Sequence, residues 1–488
     1  MATLSYDEAA HLLRRMGFGG SPDEIDALAA RGREGAVDYL INFNQIDNSA
    51  METLLTQSFD FSNPDDNQKF NQGEIRRWWV TRMVTSKRQF EEKMALFWHN
   101  HFATSITKVG QQNGLYMYVQ NLLFRQYGLD RFDTLLEKVS KDAAMLIWLD
   151  GITNVLGRPN ENFARELQEL FTMGIFDVVT GEQNYTEQDV KEIARAFTGW
   201  SFTRSQSNPY NIQFVVRQNQ HDNTSKTIYP GTPYQATGNL DGVDVIAVIC
   251  NRRATARYIT KKLLNFFVYP TSDTSSADKR TIDKFADVYM SGNHSIKELV
   301  RAIFTSDEFF SERAFFSLVK QPIEYVVGAI RMLGGTYNPG STVTGERRAT
   351  NNTPYVAARN EGQDLFNPPD VAGWDFNLGW VNTASMLERY NFANAFLTNR
   401  NTTNPGVFVT NDQLKSYTKK TAKKTVKKFL SVLGPLSVGG EAVKALRTYL
   451  MTGDNGQPVD FVNDDATVDK KIRGLVHQIM CLPEFQLN

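Results

Sequence analysis

Cysteine and long apolar runs are scarce in this sequence. Cys250 and Cys481 are the only two cysteines in 488 residues, and neither belongs to a CxxC spacing. This excludes a disulfide framework and a cysteine zinc site, while a single long-range bridge stays open. No run of about eighteen apolar residues occurs, so a membrane-spanning helix is not predicted. The first residues also lack the pattern of a signal peptide, which predicts a cytoplasmic protein unless a leader has been removed.

A net charge of one sign is also missing. Fifty-three basic residues stand against fifty-four acidic ones, which gives a formal net charge of −1. A whole-protein field that attracts nucleic acid or anionic membranes is therefore excluded, and any such binding has to be local. The chain has no GxSxG elbow, Walker loop or HExxH motif. With 41% hydrophobic residues it can bury one large core or two fused ones, since one core rarely exceeds about 300 residues.

Helical patterns dominate what is present. Ser5 with Glu8, and Ser21 with Pro22 and Glu24, are typical helix starts. Apolar residues keep a helical period from 74 to 149, and the segment 94–102 is apolar on every side, which predicts a central helix. Further helices are predicted at 186–197, 244–267, 275–290 and from 295 to 304.

Two segments break this pattern. Residues 200–240 combine β-branched runs with Pro, Gly and Asn, which predicts a small β insertion, and residues 335–380 form a long irregular loop. The predicted fold is mainly α, a multi-helix globular core with these two interruptions. The chain reads as a single domain over 1–488, divided into a helical core at 1–200, the insertion at 201–240, a second helical part at 241–400 and a C-terminal helical region at 401–488.

Histidine is scarce, and two of the six lie in one tripeptide. His99 and His101 are flanked by Phe97, Trp98 and Phe102, so their ring nitrogens need a specific partner in apolar surroundings. On a regular helix the two side chains point roughly 200° apart, so they share one metal ion only if the helix ends or bulges near the residue between them. The alternative is that each is a core residue bonded to a backbone carbonyl or a carboxylate.

A second stretch, from Asn160 to Leu170, offers carboxylates. Asn160 is predicted to cap a helix that ends before Gly174, and Glu166 and Glu169 share one ridge of it beside the apolar stripe. Two such carboxylates raise each other's pKa unless a cation lies between them. The alternative is an ordinary ion-paired face that uses Arg165, Arg195 or Lys191.

Three further features are weaker signals. His221 and Asp222, with Lys226, form a polar cluster in the β insertion. The segment 367–374, NPPDVAGW, is a stiff aromatic loop that lines a ligand groove or, alternatively, closes the core. Seven lysines at helical spacing form a basic amphipathic helix that meets an anionic partner or is simply solvated, without the aromatic residues that base stacking needs: Lys415, Lys419, Lys420, Lys423, Lys424, Lys427 and Lys428.

The same motifs carry a family resemblance. The chain resembles the bacterial family catalogued as domain of unknown function 1800 in FWHNHFATS at 97–105, NENFARELQELFTMG at 160–174, YTEQDVKEIARAFTGW at 185–200 and LFNPPDVAGW at 365–374. The resemblance implies no established activity. It implies neighbouring genes for an alkaline-phosphatase-like or sulfatase-like protein, hence a partner, and export to the envelope, which conflicts with the absence of a leader.

Two functional hypotheses follow. The first is an enzyme-like protein whose catalytic residues are His99, His101, Glu166, Glu169 and His221, and whose first four also bind a divalent or redox metal ion for hydrolysis or oxidation. In it the loop 365–382 and His221 lie near the mouth of the site. The second is a non-catalytic scaffold or assembly partner of the phosphatase/sulfatase-like protein, with the polar motifs as buried hydrogen-bond networks. Oligomeric state, substrate and metal identity are not determined.

Overall fold

Helices make up most of this computed structural model, which describes residues 3–66, 69–110, 114–343, 353–402 and 404–488. The prediction of a mainly α fold is confirmed. Strands in the described residues occur only as two-stranded sheets. Both cysteines are free, and within the described part of the chain no helix is long and apolar enough to cross a membrane.

The N-terminal helices begin where the capping signals predict. Ser5 and Glu8 form a reciprocal capping box, as do Ser21 and Glu24, because each serine side chain accepts from the third helical backbone N–H and each glutamate accepts from the cap. Pro22 occupies the first turn of the second helix. The helices of this part are α1 Tyr6–Met16, α2 Pro22–Ala29, α3 Gly32–Ile41 and α4 Ser49–Ser58.

The central part is built around one fully surrounded helix. Along α6 nearly every side chain is buried, including the polar ones at its C-terminal end, as the apolar run predicts. Neighbouring helices pack on it from several sides. This part contains α5 Gln72–Thr85, α6 Gln89–His101, α7 Ile106–Val109, α8 Leu115–Tyr127, α9 Phe132–Ser140 and α10 Ala143–Trp148.

The next helix is shorter than its pattern predicts. It begins at Asn162 and ends at Glu169. The start is later than predicted because Asn160 accepts a hydrogen bond from the Asn162 amide in a preceding turn and does not cap the helix.

The following helix starts after a capping box of Thr186 and Asp189. The predicted β insertion is confirmed as two antiparallel hairpins. The elements are α11 Asn162–Glu169, α12 Glu187–Ala196, β1 Trp200–Arg204, β2 Ile212–Val216, β3 Lys226–Ile228 and β4 Ala236–Gly238.

The second helical part surrounds the predicted irregular loop. Within 335–380 the described residues hold a short strand, a two-turn helix and a 3-10 turn at Asn377–Trp380, while residues 344–352 lie outside the description. The elements are α13 Gly242–Cys250, α14 Arg253–Phe267, α15 Ser276–Ser291, α16 Ile296–Thr305, α17 Pro322–Met332, β5 Thr336–Asn338, α18 Pro354–Asn360 and α19 Thr383–Thr398.

The C-terminal region returns to the core. Strand β6 pairs antiparallel with β5, with Thr336 opposite Phe408. The last helices contact one another and α19, and a π turn at Val468–Ile472 joins α23 to α24. The elements are β6 Gly406–Phe408, α20 Asn411–Tyr417, α21 Ala422–Val432, α22 Gly440–Leu450, α23 Asp465–Thr467 and α24 Arg473–Met480.

Buried apolar side chains from Leu4 to Phe485 form one contiguous cluster. A second, small cluster consists of Val319 and of two tryptophans, Trp374 and Trp380, from the segment 365–382, which we call the Pro/Trp loop. Because the main cluster draws on every part of the chain, the loops that carry the sequence motifs rest on a common core.

A buried ion network joins three central helices. The Glu92 carboxylate, which is fully buried, accepts from Arg82 Nε at 3.0 Å and from both terminal nitrogens of Arg125 at 2.6 and 2.7 Å. Each charge in this network is compensated, and α5, α6 and α8 are tied together near the middle of the molecule.

Glu92→Gln is expected to destabilise the protein by about 3 to 5 kcal/mol, because it removes the ion-pair partner of Arg125 and leaves Arg82 with only the longer contacts to Glu52 and Glu91. The matched control is Glu137→Gln, which removes the half-buried pair between Glu137 and Lys141 on one helix and is expected to cost less than about 0.5 kcal/mol. Urea unfolding of the three proteins measures both changes. Equal losses in the two variants would contradict the assigned importance of the network.

Candidate functional site

Four consecutive side chains at the end of α6 each bond to the backbone of a residue far away in sequence, and two of these residues lie on one loop. Trp98 Nε1 donates to the Gly128 carbonyl at 2.9 Å, and His101 Nε2 bonds to the Phe171 carbonyl at 3.0 Å. In the other direction, the backbone N–H of Phe366 donates to His99 Nε2 at 3.1 Å and that of Trp374 donates to Asn100 Oδ1 at 2.7 Å. We call Trp98–His101 the hub.

His99 is a neutral core residue. Its Nε2 accepts a hydrogen bond, which assigns the ring proton to Nδ1. The imidazole lies against the rings of Trp79, Phe366 and Trp374 at centroid distances of 5.3 to 5.4 Å. Burial lowers the pKa of His99 to about 3, so the ring carries no charge at neutral pH.

His101 is also neutral, but it faces another part of the core. Its neighbours include Phe102 and Phe171, and its Nδ1 atom is buried without a hydrogen-bond partner. Burial, and then the positive charge of Lys262, lower the pKa of His101 to about 3. Since Nε2 donates to a carbonyl, the alternative of a core histidine bonded to the backbone describes this residue.

The Pro/Trp loop is clamped directly on the hub. Gly373 adopts φ +90°, and a Cβ there would lie 2.3 Å from Asn100 Oδ1, so only glycine permits the close approach that the Trp374 amide bond needs. Arg76 Nε donates to the Leu365 carbonyl at 2.9 Å, which holds the other end of the loop.

The two carboxylates of α11 lie outside this core. Burial and the charge of Glu169 raise the pKa of Glu166, which is half-buried. Glu169 accepts a hydrogen bond from the Tyr185 hydroxyl at 3.2 Å. Arg165 pairs instead with Glu161 and Glu187, and within the described ranges neither Glu166 nor Glu169 makes an ion pair. The proposed ion-paired face therefore exists beside these two acids but does not include them.

Glu169 borders an open groove of about 490 Å³. Its wall includes two exposed apolar side chains, Ile175 and Phe176, and the charged groups of Asp177, Asp273 and Lys279. The groove is open to solvent, whereas the His101 side chain is buried in the core and does not line it. The Tyr258 side chain separates them: its hydroxyl donates to the Leu170 carbonyl, and its ring lies 6.5 Å from the imidazole of His101.

His221 is held in the β insertion. Its Nδ1 bonds to the Thr198 carbonyl at 2.8 Å, and the next residue, Asp222, pairs with Arg195 Nε at 2.8 Å. Arg195 and a hydroxyl of Thr224 hold the pKa of Asp222 well below its usual range despite burial. The lysine of this cluster, Lys226, is buried and donates to backbone carbonyls.

The four predicted metal ligands, His99, His101, Glu166 and Glu169, do not assemble into one centre. Helix α6 runs regularly through His101, so the two imidazoles point to different sides of it, and Nε2 of each is hydrogen-bonded to backbone. Among the residues that the structure describes, no group of three or more His, Cys, Asp or Glu side chains could hold a metal ion.

Two residues at or near the hub, Asn100 and Lys262, were not predicted from the sequence. Asn100 received no role there, although its position between the two histidines marks it. Lys262 lies half-buried with its Nζ 5.6 Å from the ring centroids of both Tyr258 and Phe376, and burial lowers its pKa to about 8. A lysine four residues after Tyr258 on an otherwise apolar helical face was the available signal.

Both histidine rings stay neutral in the folded protein down to about pH 3, while the unfolded chain takes up protons near pH 6.5. The free energy of unfolding should therefore decrease as the pH falls from 6.5 to 5.5, by roughly 1 kcal/mol for each histidine. The double variant His99→Gln/His101→Gln should lose this part of the pH dependence. Denaturant unfolding at the two pH values measures it, and parallel curves for both proteins would refute the assignment.

The comparisons with known proteins agree with the motifs. The family model described as protein of unknown function (DUF1800) matches residues 11–487, nearly the whole chain, and this confirms the resemblance. No curated protein and no solved structure matches it. The chain therefore belongs to the DUF1800 family of proteins of unknown function.

Proposed function

We propose that this protein acts as a scaffold or assembly partner whose hub presents the Pro/Trp loop to another protein. The observation that carries the proposal is the set of four hydrogen bonds from Trp98–His101 to three backbone segments. Two of them end on the loop, at Phe366 and Trp374. A loop held in this way loses little conformational entropy on binding, which favours association.

The surface formed by the Pro/Trp loop and by the start of α19, where Leu387 lies, supports this role. Leu378, Val381 and Leu387 expose 74, 44 and 56% of their surface within ten residues of one another in the chain. Two exposed acids, Asp370 and Asp375, lie nearby in the sequence, and neither is in an ion pair in the described structure. Apolar side chains beside free carboxylates fit a partner surface that combines an apolar patch with basic side chains.

The partner that the family resemblance indicates is the phosphatase/sulfatase-like protein. This partner is part of our proposal, because the family match by itself identifies no partner. Export of the complex belongs to the same proposal, because such a pair has to share one compartment.

Leu378→Asp/Leu387→Asp is expected to raise the Kd for the co-expressed phosphatase/sulfatase-like protein by at least tenfold, because a charge replaces each apolar contact. The matched control is Leu156→Asp/Phe176→Asp, which alters two apolar residues elsewhere that are 52 and 59% exposed. Size-exclusion chromatography and a Kd measurement give the result. No complex for the unchanged pair, or equal weakening by both variants, would refute this scaffold.

A second candidate is a hydrolytic enzyme that uses the groove beside Glu169. The observation that favours it is the position of two neighbouring carboxyl groups on α11, one of which, Glu169, lines the groove, while burial and the charge of Glu169 raise the pKa of the other, Glu166. Such a pair suits general acid and base roles, with Tyr185 orienting the second group. In this version the histidines position the core and take no part in proton transfer.

For this candidate, Glu166→Gln should lower the hydrolysis of p-nitrophenyl acetate or p-nitrophenyl phosphate by about 100-fold, since it removes the acid group. Glu182→Gln changes an exposed acid and should leave the rate unaltered. Stopped-time absorbance assays measure both, with melting curves as a check of folding. Equal rates in all three proteins would reject the groove as a hydrolytic site.

A further inference from the structure

The strongest local charge on the molecule is a lysine cluster in the C-terminal region. From 413 to 440 the sequence contains seven lysines and no acidic residue. The whole chain has a formal net charge of −1, so this cluster is a local feature and not a consequence of overall composition.

The fold fixes six of these lysines on one side. Helix α21 starts after Thr421, whose side chain accepts from the Lys424 amide, and it buries Val426, Phe429 and Leu430 against the neighbouring C-terminal helices. The opposite side of the helix and the turn before it carry the ammonium groups. We call this the basic face: Lys419, Lys420, Lys423, Lys424, Lys427 and Lys428.

Among the residues that the structure describes, no acid pairs with the basic face. Five of its lysines are exposed and Lys428 is half-buried, and in the described residues none of the six makes an ion pair or a side-chain hydrogen bond. By contrast, Lys415, one turn earlier, pairs with Asp465. Six adjacent uncompensated charges repel one another, and an external anion relieves that repulsion.

The chemistry of the face excludes several partners. It contains no arginine for bidentate phosphate recognition and no exposed aromatic ring for base stacking. Its apolar side chains point inward, so no anchor is available for a protein interface, where lysine is depleted in any case. What remains is a broad array of hydrated point charges, which fits a diffuse anionic surface.

We propose that the basic face binds the surface of a bilayer that contains acidic phospholipids. Clusters of four to eight lysines on an amphipathic helix bind such surfaces by charge, and each lysine contributes about five-fold to the partition coefficient. Because the apolar face is buried in the core, the protein stays at the headgroup level and does not insert. This is independent of the proposed scaffold and hydrolytic roles.

The test is co-sedimentation of the full chain with vesicles at 0.1 M NaCl. We expect binding to vesicles of phosphatidylcholine with 30% phosphatidylglycerol, none to pure phosphatidylcholine, and loss of binding at 0.5 M NaCl. Lys420→Gln/Lys424→Gln/Lys427→Gln should lower the partition coefficient by about 100-fold.

The charge-matched control is Lys87→Gln/Lys138→Gln/Lys191→Gln, which removes three exposed lysines elsewhere and should change the partition coefficient less than two-fold. Absence of binding to the acidic vesicles, or an equal loss in both triple variants, would overturn the proposal. Tighter binding to single-stranded DNA or to polyglutamate than to the vesicles would overturn it as well.

Discussion

The structure depends on the satisfaction of polar groups at the end of its most buried helix. An imidazole, an amide or an indole N–H placed in an apolar core costs free energy unless it is hydrogen-bonded. The hub meets most of this requirement with backbone groups from three segments that lie far apart in sequence, the ones at Gly128, at Phe171 and in the Pro/Trp loop. As a result the side chains that need partners also fix where the Pro/Trp loop and the end of the α11 segment lie.

Local features of this fold could be predicted from the sequence because their causes are local. The capping boxes at Ser5 and Ser21, the all-round apolar pattern of α6 and the turn-rich β insertion each depend on residues a few positions apart. The predicted start of α11, with Asn160 as its cap, was wrong for a related reason. Asparagine bonds equally well to a turn amide and to a helix terminus, and the residues around Asn160 permit both.

The candidate site was harder to predict, since its partners are distant. His99 bonds to a residue 267 positions away, and His101 to one 70 positions away. The sequence established that each imidazole needs a partner, but a backbone amide, a carbonyl and a carboxylate satisfy that need equally well. It also placed Glu166 and Glu169 correctly on one helix, without indicating that Tyr258 would lie between them and the core.

The separation of acids from imidazoles constrains any chemistry the protein performs. A histidine whose pKa lies near 3 is a poor base at neutral pH, and taking a proton in the core would require a buried charge with no counter-ion. The half-buried acids of α11 are closer to solvent, because Glu169 lines the open groove, although burial still raises the pKa of Glu166. The proposed hydrolytic role therefore depends on the groove, whereas the proposed scaffold role depends on the loop that the hub holds. Each of the two candidate functions thus depends on a different part of the molecule, so the failure of one leaves the other intact.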